Sequence, residues 1–141
     1  MSLNRICGRF SVLDLVKTLQ FIGDQNNFVG CIPNILSANE NTFKAKVKAL
    51  GLPLTVKGEL YKYEISPETL ILTVGLKVKT TGAVIDIITR SKVKEDGSQF
   101  IWDTQYNISG PLKILLKPLL ESVTEQTVVD TIECIKLRTT S

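Results

Sequence analysis

Polar and apolar residues alternate along the chain from Phe43 onward, and before that point they follow a longer period. Between Phe43 and Ala49 every second residue is lysine. Lys44, Lys46 and Lys48 therefore share a wet face, while Phe43, Ala45 and Val47 share a packed one, as in a half-buried strand. A turn at Gly51-Leu52-Pro53 leads into a second strand, where Leu54, Val56, Gly58 and Leu60 alternate with Thr55, Lys57, Glu59 and Tyr61. Ser66-Pro67-Glu68 turns the chain again. Leu70, Leu72, Val74, Leu76 and Val78 then alternate with Ile71, Thr73, Gly75, Lys77 and Lys79. After Thr80-Thr81-Gly82, residues 83 to 93 are β-branched and strand-like, including Ile85 and Ile87. Lys94 to Ser98 is a hairpin loop with Asp-Gly at its tip. Phe100, Trp102, Thr104, Tyr106 and Ile108 follow on one face, against Gln99, Asp103, Gln105 and Asn107 on the other. The pattern predicts a meander of long antiparallel strands with one apolar face.

Helical periods flank this meander. Asn4 to Phe10 predicts a short strand, and Ser11-Val12-Leu13-Asp14 predicts a helix start with Ser11 as cap and Asp14 favouring the N-terminal dipole. Val12, Leu15, Val16 and Leu19 recur at helical spacing up to Gly23. A second short helix is expected over 24–29, stopped by Gly30 and Pro33. At the other end, Ser109-Gly110-Pro111 signals a helix start. Leu112, Leu115, Leu116, Leu119, Leu120 and Val123 form its expected apolar stripe, which weakens over Thr124 to Thr127 and resumes in shifted phase at Ile132 and Ile135. Pro118 has no N–H to give, so it is expected to kink this helix or to mark where a longer one begins.

A sheet with one apolar face must bury it, and the last helix is the only element long enough to cover it. A strongly twisted sheet can wrap around such a helix. The expected fold is α+β: a long antiparallel curved sheet wrapped around a C-terminal helix. At 141 residues, with no repeat or linker, the chain reads as one domain over 1–141. Any space the helix leaves is expected to be lined by Leu72, Val74, Leu76, Ile85, Ile87, Trp102, Thr104, Tyr106, Leu116 and Leu120, an apolar setting suited to a small hydrophobic ligand. The competing reading of these ten residues is a close-packed core.

Composition narrows the chemistry. The chain has no histidine, which removes the commonest general base and metal ligand and moves the expectation from enzyme towards binding protein. No catalytic residue, metal ligand or cofactor motif is assigned; neither a phosphate-binding loop nor a dinucleotide fingerprint is present. The net charge of +3 and pI near 8.8 are too mild to indicate nucleic-acid binding. Cys7, Cys31 and Cys134 are odd in number and lack metal-ligand spacing, so they read as reduced thiols, with Cys7 and Cys31 as small buried hydrophobes. No apolar run is long enough to span a membrane, and Met1 to Gly8 lacks a signal-peptide core; the location reads as cytoplasmic.

The order of landmarks resembles the START-like helix-grip superfamily, and within it the family of the carbon monoxide dehydrogenase G-subunit. Gly8-Arg9-Phe10-Ser11-Val12 looks like the family's first strand running into its first helix. Cys31-Ile32-Pro33-Asn34 matches a Cys-Ile-Pro-Gly-like turn, with Asn34 in place of the glycine because asparagine also accepts left-handed angles. The Phe43 to Val47 strand, Gly51-x-Pro53, Val56-Lys57-Gly58, Ser109-Gly110-Pro111-Leu112 and Pro118-Leu119-Leu120 follow in the family's order. The resemblance implies an accessory protein beside a molybdenum hydroxylase, recruiting it to a membrane or carrying a lipid or quinone. Some relatives carry an apolar C-terminal tail; Lys136-Leu137-Arg138-Thr139-Thr140-Ser141 is not one, which leaves at most peripheral membrane contact.

Two further readings stand beside the carrier. A cyclase- or hydrolase-type enzyme would need a carboxylate, lysine or tyrosine facing the cavity. A pure interaction module would use Lys44, Lys46, Lys48, Lys57, Lys77 and Lys79, which share the outer parity and otherwise serve as a solvated, edge-blunting face. Asp86, Arg90 and Asp103 also point outward and are placed to pair across strands.

Overall fold

The computed structural model describes residues 4–49 and 52–140. Strand β1 (Asn4–Ser11) is followed by helices α1 (Leu15–Ile22) and α2 (Gln25–Cys31). Six strands come next: β2 (Ile35–Asn39), β3 (Thr42–Ala49), β4 (Leu52–Ile65), β5 (Leu72–Thr80), β6 (Ala83–Val93) and β7 (Gln99–Ser109). Helix α3 (Lys113–Thr140) follows them. The strands form one antiparallel sheet in the order β1-β7-β6-β5-β4-β3-β2, so the meander is intact and the first strand closes beside the last.

The inward parity survives across the sheet. Leu76 stands opposite Ile87, and Ile87 opposite Tyr106. In β4 the register shifts between Leu60 and Lys62, so that two residues face Gly75. This bulge leaves Tyr61 and Lys62 both outward and lets Tyr63 rejoin the inner face, opposite Val74. Helix α3, 28 residues or about 42 Å long at 1.5 Å per residue, packs against α1, α2, β3 and β7. The curved sheet thus wraps its apolar side around α3.

Several expectations need correction. Asp14, not Ser11, caps α1, accepting from the Lys17 N–H at 3.0 Å; Ser11 is still strand, paired with Gln99. Leu15 and Val16 are exposed, and α1 buries Thr18 and Ile22 instead, because its start is displaced along the chain. Helix α2 runs through Gly30 to Cys31. Strand β2 is not evident in the sequence, because Ile35-Leu36-Ser37-Ala38-Asn39 does not alternate and only Ile35 is partly buried. Leu70 is exposed in the turn before β5, with a left-handed φ of 56°. The Gly51 turn falls outside the described residues.

The stripe on α3 is also rotated. Ile114 and Leu115 are 91% and 75% exposed, whereas Leu120, Thr124, Thr131, Ile132, Ile135 and Thr139 are buried. Threonine carries much of the buried face, which hides it from an apolar count. The helix continues through Pro118.

The reading of three reduced thiols does not hold. Cys31 at the end of α2 and Cys134 on α3 are bonded, with Cα atoms 5.4 Å apart, and Cys7 is free and exposed. An odd count leaves this pair invisible in the sequence, since 103 residues separate its members.

Candidate functional site

The sheet and α3 do not meet flush. Between them lies a cavity of about 80 Å³ with room for water-sized spheres. One such sphere needs roughly 10–15 Å³, so the space holds several. Its sheet wall comes from Phe43, Ala45 and Val47 of β3, Val56 of β4, Leu76 and Val78 of β5, and Ile85, Ile87 and Thr89 of β6. Helix α3 supplies Leu120, Val123, Thr124, Thr127, Val128, Thr131 and Ile132. Phe28, Ile32 and Pro33, at and just after α2, close one side. Phe43 lies flat over Gly58; a Cβ built there would stand 2.1 Å from the ring, so only glycine lets the phenyl group take this place in the wall.

Of the ten residues singled out from the pattern, Leu76, Ile85, Ile87 and Leu120 border this space. The other six are inward but do not border it. Leu72, Val74 and Trp102 belong to the aromatic end of the core, with Phe10, Phe100, Ile22 and Phe28. Thr104 is fully buried and bonds the Thr89 hydroxyl at 2.8 Å. Tyr106 and Leu116 pack around Leu120. Among the wall residues absent from that set, two groups stand out. Phe43, Ala45, Val47 and Val56 share the inner parity and are readable from it. The threonines of α3 recur at helical spacing, but they look like a polar face until the helix is seen under the sheet.

The wall is hydrocarbon and threonine hydroxyl. None of its residues is titratable. Tyr106 donates from its hydroxyl to Glu125 Oε2 at 2.6 Å, and burial followed by that carboxylate pushes its pKa above the usual tyrosine range. Tyr63 donates to the Ile22 carbonyl at 2.6 Å, and burial raises it likewise. Neither ring lines the cavity. Among the described residues, no group of His, Cys, Asp or Glu is placed to hold a metal ion, and no helix is long and apolar enough to cross a membrane.

On the outer face, Lys44 stands opposite Lys57, and Lys57 opposite Lys79, a row of three like charges across β3, β4 and β5. Lys46 faces Thr55 in the next row, and Lys77 is flanked by Glu59 and Asp86. Asp103 faces Arg90 in register but makes its ion pair with Arg5 of β1, whose hydrogen bonds hold the carboxyl below its ordinary range. Asp86 accepts from the Tyr61 hydroxyl at 2.7 Å. None of these groups borders the cavity itself, but Lys46 lines an adjoining groove with Pro33, Val47, Val123 and Thr127, which belong to the cavity wall as well.

Comparison with known proteins agrees with this architecture. Solved structures covering nearly the whole chain include a conserved protein from Geobacillus kaustophilus (TM-score 0.65, 10% identity, 95% of this chain and 92% of that one). A Helicobacter pylori protein aligns with a TM-score of 0.63 and 13% identity over 98% of this chain and 88% of that one. Truncated norcoclaurine synthase from Thalictrum flavum aligns at 0.57 and 10%, covering 95% and 91%. At such identities the likeness shows the START-like fold alone. No curated protein shows significant sequence similarity. The sequence profile of CoxG, the G-subunit of carbon monoxide dehydrogenase, however, matches residues 8–140. That span runs from the second half of β1 to the end of α3, and the chain belongs to the CoxG family.

Proposed function

We propose that this chain, taken as a single START-like domain, is a non-catalytic binding module that holds a lipid- or quinone-like molecule between the sheet and α3. It serves as an accessory protein beside a molybdenum hydroxylase, as its family suggests. The observation that carries the reading is the partly open cavity between β3–β6 and α3, whose wall is almost wholly apolar; at about 80 Å³ it receives part of such a molecule, and the remainder reaches out through the opening. Apolar contacts there would gain about 25 cal/mol for each Å² removed from water. An enzyme of cyclase or hydrolase type needs an acid, base or nucleophile at the bound molecule, and the wall offers only aliphatic hydroxyls and hydrocarbon. A cytoplasmic location belongs to this reading. The Cys31–Cys134 bond weighs against it, since stable disulfides belong mainly to oxidising compartments.

Native mass spectrometry of freshly purified protein tests the reading. A copurified hydrophobic molecule, bound one to one and lost on denaturation, is expected. Protein of bare mass that also takes up no lipid or quinone on incubation would contradict it.

The lysine row supports a second reading in which the outer face docks an acidic partner. Like charges directly opposite each other across strands are unfavourable, and an acidic surface would relieve Lys44, Lys57 and Lys79 together. Lys57→Glu with Lys79→Glu should abolish capture of the hydroxylase at low salt while leaving ligand binding intact. Capture unchanged by both substitutions would remove this reading.

A further inference from the structure

We propose that Thr124 is the polar anchor of the cavity, and that the molecule held there is neutral, with an apolar body and one hydrogen-bonding oxygen of the ketone, ester or alcohol kind. The proposal rests on the binding reading above and sharpens it to a ligand class.

Threonine inside a helix usually returns its hydroxyl to the carbonyl four residues earlier. Thr131 does so to Thr127 at 2.8 Å, Thr139 to Ile135 at 2.8 Å and Thr140 to Lys136 at 2.8 Å. Thr124 does not. It is only 3% exposed, it borders the cavity, and its hydroxyl has no partner among the described residues. Of the other wall hydroxyls, Thr89 bonds Thr104, Thr131 bonds the Thr127 carbonyl, and Thr127 is only partly buried, so Thr124 is the wall hydroxyl that is both buried and unpartnered. Glu125, next along the helix, accepts from Tyr106 and is not in the wall. Gln99 Oε1 is likewise buried without a partner, but Gln99 is no part of this wall either.

A buried hydroxyl without a partner destabilises the fold unless something fills the vacant bond. A ligand oxygen in the cavity would accept from the Thr124 O–H, and the surrounding hydrocarbon would strengthen that bond. The same surroundings reject charge. No Lys, Arg, Asp or Glu borders the space, and Lys46 and Lys48 stand outside it in the adjoining groove, so a carboxylate or phosphate ester placed at Thr124 would lose its hydration with no counter-ion in the wall. The wall therefore selects a neutral oxygen over an ionised one.

The test uses competition against the neutral fluorophore N-phenyl-1-naphthylamine, with undecane, 2-undecanone and undecanoate at pH 7 as competitors. In the wild-type protein 2-undecanone should outcompete undecane, and undecanoate should compete at least about tenfold more weakly than the ketone. Thr124→Val removes the hydroxyl at nearly constant volume and should weaken 2-undecanone by about three- to tenfold while leaving undecane unchanged. Thr124→Ser should restore the preference for the ketone. Unliganded Thr124→Val should also melt a few degrees above wild type, having lost an unsatisfied buried hydroxyl. Equal ketone affinity in wild type and Thr124→Val, with the fluorophore still bound, would overturn the anchor and leave the cavity reading standing. Undecanoate competing as well as the ketone would overturn the selection for neutrality. A wild-type protein that binds no fluorophore and no competitor would overturn both readings.

Discussion

The inner face of the sheet is built in two ways. At the end near α1, aromatic side chains fill the space: Phe10 stacks on Phe100 with centroids 4.8 Å apart, the Phe28 ring meets Tyr63 edge-on, and Trp102 lies so close over Gly8 that a Cβ there would stand 2.8 Å from the ring. Further along the sheet, at Leu76, Val78, Ile85 and Ile87, the side chains are aliphatic and the helix opposite carries threonine. Stacked rings fill the first region, whereas in the second Phe28 and Phe43 stand at the border and the short branched chains leave space before the helix. The hollow follows from side-chain size at fixed backbone curvature. A disulfide frames one side of it: Cys31 at the end of α2 is tied to Cys134 on α3, and Ile32, next to Cys31, and Ile132, two residues before Cys134, stand in the wall.

That brace should give the largest response. Cys134→Ala, or reduction with a strong thiol reagent, should lower unfolding free energy by about 2–4 kcal/mol in denaturant titration, the usual range for a native disulfide. Thiol counting should find one reactive cysteine, Cys7, before reduction and three after. Three free thiols in protein purified without reductant, with no stability change on reduction, would remove the brace.

Overpacking should separate the two regions directly. Val74→Phe at the filled end should cost about 1–3 kcal/mol, because no space receives the ring. Val56→Leu at the hollow should stay within about 0.5 kcal/mol and should weaken binding of a hydrophobic fluorophore. Equal costs at both sites would mean that the two regions are packed alike.

Smaller still is the response to alkali. Tyr63 and Tyr106 have pKa values raised above the ordinary range, chiefly by burial, and burial with the Asp86 contact brings Tyr61 to about 12. The unfolded groups ionise near 10. Their contribution to stability is therefore complete below about pH 10 and is lost as pH rises through the folded values. Denaturation midpoints should be flat from about pH 6 to 8, where the chain has no histidine to titrate, and should fall between about pH 10 and 12. Tyrosine absorbance rising fully near pH 10, with unchanged midpoints, would contradict this.

The strand half of the fold is legible in the sequence because period-two alternation and turn residues act locally. β6 starts and ends where the pattern puts it, and Phe100 to Ile108 keep their inward parity. The left-handed turn at Asn34, φ 62°, is equally legible from residue type. Which inward residues touch a helix and which face a gap is not a local property. Trp102 and Tyr106 draw attention as large inward rings, yet their size is what excludes space around them. Thr124 and Thr131 look polar, although a helix beneath a sheet buries them. The Cys31–Cys134 bond likewise depends on tertiary approach across 103 residues.

The binding role depends on the hollow, and a crystal structure under xenon pressure tests it most directly, because xenon enters dry apolar cavities. Xenon density is predicted between Ile87 and Leu120, with none among Phe10, Phe100 and Trp102. A helix settled onto the sheet, with no xenon between them, would contradict the cavity and the binding role built on it.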